Sequence, residues 1–336
     1  MPEAPSTEKL KPARPDYSWL ASPQALRWKT WFYQGLVPAL LRRGGPVKAG
    51  QALERLSLNL TRVWMPRKLE IRKAVRSNMA DKETGWSAPM VESGLARQLL
   101  RYVARDCILD GTDPASFPDL FEVKGLEHLE GLRRNGRGPI LLGSHVGGHL
   151  AAVHWMMKSG INFRMLVQRP KHVSADLDAW FDREMPVVSQ KELFLKRDLS
   201  PADAVRRMTD ARRLIQQGIG LYINCDIPWD GPNTDVYSFL GRELRLQSIW
   251  IDLATILNCP IVTITCRQLP EGRFELIFDE PVLASAFVSR ADLFHWAISR
   301  LESRVLAYPD DAIAHLMWPI HRPGRSPADQ KIDQKA

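Results

Sequence analysis

Cysteine is scarce in this chain of 336 residues: Cys107, Cys225, Cys259 and Cys266 are all there is, and none falls in Cys-x-x-Cys spacing. Three of them lie in apolar runs, so they read as buried thiols in a reducing compartment, not as a disulfide framework or a zinc site. No run of about 18 apolar residues occurs, which argues against a spanning helix. The opening residues are polar and proline-bearing, unlike a signal peptide. Also missing are a Gly-x-Ser-x-Gly elbow, a phosphate-binding loop, a Gly-x-Gly-x-x-Gly after a strand and a His-Glu-x-x-His pair, so those catalytic templates are set aside. There is no internal repeat and no common nucleic-acid-binding motif, and nucleic acid is not expected as a partner.

What the chain does have is basic charge. Lys and Arg number 46 against 38 Asp and Glu, a net +8. This favours an anionic partner, such as a membrane surface, a phosphorylated substrate or an acidic carrier protein. Eleven tryptophans are many for this length, and Trp19, Trp28, Trp31, Trp64 and Trp86 crowd the N-terminal part. Residues 28–43 are apolar and aromatic and end in Arg42-Arg43. Such a segment suits the headgroup plane of a membrane, with a core helix as the alternative. Arg67, Lys68, Arg72, Lys73 and Arg76 recur at helical spacing and would extend the same basic face.

From about residue 88 onward, helical and strand patterns alternate. Helices are expected over 91–108, 125–135, 149–158, 200–217, 244–257 and 292–307, and strands over 121–124, 139–144, 161–168, 220–225, 259–267 and 274–279. The fold class is α/β: a mainly parallel central sheet with helices on both faces, preceded by an N-terminal helical, membrane-associated region. The expected division is a disordered 1–20, a helical membrane-associating 21–110, an α/β domain over 111–325 and a disordered tail, 326–336.

In the stretch Gly138-Pro139-Ile140-Leu141-Leu142-Gly143-Ser144-His145-Val146-Gly147-Gly148-His149, an apolar strand ends at an imidazole and two glycines lead into a helix. Ligands of open α/β sheets bind beyond the carboxyl ends of the strands. His145, the pair Gln168-Arg169 and Asp226 all fall at such ends. His145 is the candidate general base, and Arg169 and Gln168 are candidate binders of a phosphate or carboxylate. Asp226 is a candidate to orient a histidine or to hold substrate. Gly147 and Gly148 let the backbone turn next to the N–H groups of a helix start, a candidate oxyanion stabiliser and substrate-binding element. His145 and His149 are four apart, but no carboxylate in their neighbourhood completes a metal set, so no metal is expected.

Phe121-Glu122-Val123-Lys124-Gly125-Leu126-Glu127-His128-Leu129-Glu130 and Gly136-Arg137-Gly138-Pro139-Ile140-Leu141-Leu142 resemble segments of the lipid A biosynthesis lauroyl/myristoyl acyltransferase family, as does Gly220-Leu221-Tyr222-Ile223-Asn224-Cys225-Asp226. Phe239-Leu240-Gly241 is similar to that family's Phe-x-Gly step, and Met317-Trp318-Pro319-Ile320-His321-Arg322 to its terminal segment; the likeness spans roughly residues 28–325. It implies a divergent lysophospholipid acyltransferase-like enzyme. Such an enzyme moves a fatty acyl group from acyl carrier protein or acyl-CoA to a lipid or glycolipid acceptor, without a cofactor. It would sit peripherally at the cytoplasmic face of the inner membrane. The family's His-x-x-x-x-Asp/Glu motif implies His145 as base, but the acid is missing: Leu150 stands five residues on. With one residue deleted, His149 would take the acid's place. A neutral imidazole fixes a tautomer but supplies no negative charge. Either Asp226 or another carboxylate then supplies the charge, or the mechanism differs, or the chain is a catalytically silent lipid or carrier-protein binder. An unrelated α/β enzyme acting on phosphorylated substrates is the remaining alternative.

Overall fold

The computed structural model describes residues 28–63, 72, 76, 85–134, 136–166, 174–182, 192–193, 200–229 and 233–316. Among them, the termini 1–20 and 326–336, Gln168, Arg169, Arg67, Lys68, Lys73 and the segment 317–322 have no place, so the expectations attached to these lie outside the described residues.

A π-helical turn, Trp31–Leu36, leads into α1 (Val37–Val63), which is kinked at Gly45. Helix α2 (Ala88–Ala104) is started by Ser87, whose hydroxyl accepts from the Met90 N–H. There follow α3 (Phe117–Leu120), β1 (Phe121–Lys124), α4 (Leu126–Arg134), β2 (Ile140–Gly143), α5 (His149–Lys158) and β3 (Phe163–Leu166). Next come α6 (Ala175–Phe181), β4 (Glu192–Leu193), α7 (Pro201–Gln216) and β5 (Gly220–Asn224). The chain continues through β6 (Thr234–Phe239), β7 (Arg242–Gln247), α8 (Ile249–Leu257), β8 (Ile261–Gln268), β9 (Phe274–Phe278), α9 (Arg290–Ala307) and α10 (Ile313–Leu316). Helix α7 begins at Ser200-Pro201, with the Ser200 hydroxyl accepting from the Asp203 N–H at 3.1 Å.

Seven strands form one sheet in the order β1-β9-β8-β2-β5-β3-β4. All its pairings are parallel except β8 with β9, which are joined by the short turn at Pro270–Gly272. A connection that short permits only an antiparallel return, because a parallel neighbour needs a crossover. Successive side chains enter opposite faces, as strand geometry requires. Ile140, Leu142, Leu221, Ile223 and Ile261 pack into a core with α2, α7, α8 and α9. Leu141, Tyr222, Val262 and Ile264 pack into a second core with α1, α5 and α6. The sheet is therefore covered on both sides, in agreement with the near-continuous apolar strands of the sequence.

Three features depart from or add to the expected pattern. Residues 244–257 are not one helix. Their first part is β7 of a β6–β7 hairpin, and helix begins only at Ile249. The hairpin turn carries positive φ at both Leu240 (48°) and Gly241 (71°), as a type I′ turn requires. Leucine seldom adopts that conformation, and here its N–H donates to the Glu302 carboxylate at 2.7 Å. Second, helices before residue 110 share both cores with the sheet after it. The buried Arg101 of α2 donates to Glu54 of α1 at 2.6 Å and to the carbonyls of Leu269 and Arg273 at 2.6 and 2.7 Å. It thereby ties the N-terminal helices to the β8–β9 turn. Third, the aromatic segment 28–43 is partly core. Phe32 is fully buried and the Tyr33 hydroxyl donates to the Val103 carbonyl at 2.9 Å, which leaves Trp28 and Trp31 exposed. Among the described residues, no helix is long and apolar enough to cross a membrane.

Beyond β2 the chain turns at Gly147, where φ is +56° and a Cβ would lie 2.3 Å from the Cys266 carbonyl oxygen. Gly147→Ala combines a left-handed conformation with a backbone clash, and about 2–4 kcal/mol of stability should be lost. Gly131→Ala, in α4 with nothing within 4 Å of the added carbon, should instead gain about 0.5–1 kcal/mol. Urea unfolding midpoints of the two variants check both signs.

Candidate active site

The site is built by strand register. β2 and β5 are parallel neighbours with Gly143 opposite Asn224. Two residues further along each strand stand His145 and Asp226, so the alignment delivers the pair side by side. The Asp226 carboxylate grips His145 twice. Oδ2 accepts from the backbone N–H at 2.7 Å and Oδ1 lies 2.8 Å from ring Nδ1. Oδ2 also meets Nε2 of His315, from α10, at 3.1 Å. Side-chain exposure falls from 28 % at His145 to 1 % at Asp226, so one end of the pair is reachable and the other sealed.

Burial alone would raise the Asp226 carboxyl, but the imidazoles of His145 and His315 more than reverse this and hold it well below the usual carboxylate range. An ionised Asp226 requires a proton on Nδ1 of His145, and Nε2 then keeps its lone pair. From the other side, the Asn224 amide nitrogen lies 3.3 Å from Nε2, where an N–H can donate to that lone pair. Both neighbours thus specify the same tautomer, the one that accepts a proton at Nε2.

His149 does not occupy an acid's position. Its ring stands edge-on to that of His145, with centroids 5.0 Å apart, and it is buried. Burial, the Arg105 guanidinium and His145 push its imidazole well below the ordinary value, so it stays neutral. The contacts expected of an orienting acid are made by Asp226. Gly147 and Gly148 make the expected turn. Their own N–H groups donate to the carbonyls of Asp311 (2.9 Å) and Cys266 (2.8 Å).

Asn224 and His315 were not singled out from the sequence. Asn224 had a signal, because it lies two residues before Asp226 and faces the same way as alternate strand positions do. His315 had none: it is a lone histidine in the apolar Ala312-Ile313-Ala314-His315-Leu316, brought in only by tertiary structure. Among the described residues, Asp110, His154 and Asp176 could offer ligand atoms to a cation within 4.8 Å of one another. Each already serves the protein. Asp110 accepts from Ser174 and the Ala175 N–H, Asp176 pairs with Lys158, and His154 bonds the Asp106 carbonyl.

Comparison with known proteins yields little. No family model matches the chain, and no curated protein matches it. Among solved structures, the chain is similar to the crystal structure of the 1-acyl-sn-glycerophosphate (LPA) acyltransferase PlsC from Thermotoga maritima. That likeness has 15% sequence identity over 73% of this chain and 94% of the other, with a TM-score of 0.33. At that score no correspondence between residues follows.

The neutral His149 has a consequence for stability. Its depressed value means that the unfolded chain takes up a proton that the folded protein refuses once pH falls below about 6.5. Stability is lost as pH falls through that range. Asp311, pushed up to about 7 by burial and by Asp310, and Asp110, pushed up to about 6 by burial, act with the opposite slope. Comparing wild type with His149→Phe cancels these. Below pH 6.5 the wild type should lose about 1.4 kcal/mol per pH unit relative to the variant. Urea unfolding at pH 5, 6 and 7 measures the difference.

Proposed function

We propose that this protein is an acyltransferase that moves a fatty acyl group from an acyl carrier protein or acyl-CoA thioester to a hydroxyl or amine of a lipid or glycolipid acceptor, with His145 as general base. One observation carries the reading: a part-exposed imidazole at the carboxyl edge of a parallel sheet, locked through Nδ1 onto a buried, ionised carboxylate. That pairing makes Nε2 a proton acceptor without any acid in the His-x-x-x-x-Asp/Glu place.

In the reaction, Nε2 takes the proton of the acceptor hydroxyl as its oxygen attacks the thioester carbonyl. The tetrahedral intermediate collapses with cleavage of the carbon–sulfur bond. The imidazolium returns the proton to the departing thiolate, so an ester and a free thiol result. Asp226 stays ionised throughout and stabilises the imidazolium. The reading of a silent binder drew its support from the missing acid, and Asp226 offers a carboxylate in that acid's stead.

Exposed Trp28 and Trp31, at 41 % and 56 %, favour contact with a membrane surface. The net +8 charge favours an anionic bilayer and an acidic carrier protein as partners. We place the protein at the cytoplasmic face of the inner membrane on this ground and on the family resemblance.

The test uses acyl carrier protein loaded with radiolabelled fatty acid, incubated with the purified protein and a membrane extract. Label should move to the lipid fraction. His145→Ala should cut the rate by about 10²–10⁴-fold, and Asp226→Asn by a comparable factor. Undiminished transfer by His145→Ala would overturn the assignment of the base. In a separate arm, transfer should fall when Trp28 and Trp31 are both changed to Ser and the acceptor is presented in anionic vesicles, but not when it is presented in detergent.

A further inference from the structure

The C-terminal segment 309–316 reaches the site at two points. The Asp311 carbonyl accepts from the Gly147 N–H at the turn after His145. His315 meets the carboxylate oxygen Oδ2 that also accepts from the His145 backbone. Both members of the His315–Asp226 pair are 1 % exposed, and the His315 ring rests on Phe239 with centroids 5.4 Å apart. Asp226 comes from a strand end and His315 from a separate helix, so the two enter from different elements and meet only here.

We infer that His315 is a positioning residue: by holding Oδ2 of Asp226 it aims Oδ1 at Nδ1 of His145 and keeps that ring in its proton-accepting tautomer. This rests on the reading of His145 as the base, but its physical content can be tested without the reaction. An ionised carboxylate turns about its last side-chain bond unless both oxygens are held. Without His315, Oδ2 is held at a single point by the His145 backbone N–H, and Oδ1 is then held only by the ring whose tautomer it is to set. Imidazole in water favours the other tautomer, with the proton on Nε2, so a loosened Asp226 lets His145 revert. That form cannot take a proton from an acceptor at Nε2.

The test is made on the full chain labelled with ¹⁵N in its histidine rings, at a pH where the rings are neutral. In the wild type, ring nitrogen shifts should show His145 protonated on Nδ1 and His315 protonated on Nε2. His315 with a bare Nε2 could not donate to Asp226, and that result alone, from unaltered protein, would overturn the proposal. His315→Phe keeps a ring against Phe239 but removes the donor. It should give mixed tautomers at His145, with kcat lowered by about 10–100-fold and KM changed less than about twofold. His315→Gln places an amide nitrogen as many bonds from the backbone as Nε2, and should restore the single tautomer and most of kcat. A single tautomer in His315→Phe, or equal losses in both variants, would refute the role. If the wild type transfers no acyl group, the tautomer measurements still decide the matter for His315, and only the assigned reaction fails.

Discussion

One carboxylate organises this molecule's chemistry. Asp226 is sealed from solvent, yet its carboxyl is held well below the usual range, because a backbone N–H and the ring nitrogens of His145 and His315 converge on its two oxygens. A buried charge of this kind is costly to isolate and is retained only where its partners are complete. Strand register, the turn at Gly147 and the docking of α10 all contribute to completing them. The imidazole that faces outward takes its tautomer from this inner arrangement, so the protonation pattern of the exposed ring is governed by buried atoms.

The arrangement also shows how a carboxylate can reach a histidine from two places in a fold. In the motif that the sequence resembles, an acid one helical turn beyond the histidine does the orienting. Here Leu150 and the buried, neutral His149 stand in that region, and the acid comes from the neighbouring strand. Parallel strands in register make the substitution direct, because residues two past each strand end fall together. Here the sheet sets a carboxylate oxygen 2.8 Å from Nδ1.

Much of the α/β pattern was legible. The helix His149–Lys158 and the strand Phe121–Lys124 begin and end where periodicity puts them, and the strands at Ile140, Gly220 and Phe274 are placed within a residue or two. Their apolar runs are bounded by glycine and proline, which makes the local signal strong. The β6–β7 hairpin was lost because its turn sets a leucine at positive φ, a choice that no local preference favours and that a carboxylate from the distant α9 stabilises. The tie between the N-terminal helices and the sheet was hidden for a similar reason: it runs through Arg101, which reaches Glu54, Leu269 and Arg273, 47 to 172 residues away. Of the site, His145 and Asp226 were visible as strand-end residues. Their direct bond, and the part of His315, depend on register and docking that no single segment encodes.

The separations within this cluster carry a consequence for how the protein is made. His145 and Asp226 are 81 residues apart, and Asp226 and His315 a further 89. Because a chain emerges from the ribosome N-terminus first, the imidazole is synthesised long before its clamp and the clamp long before its brace. Contacts this remote are closed late, after the local helices and turns have formed. The cluster around Asp226 is complete only once α10, the last helix of the described fold, has joined it.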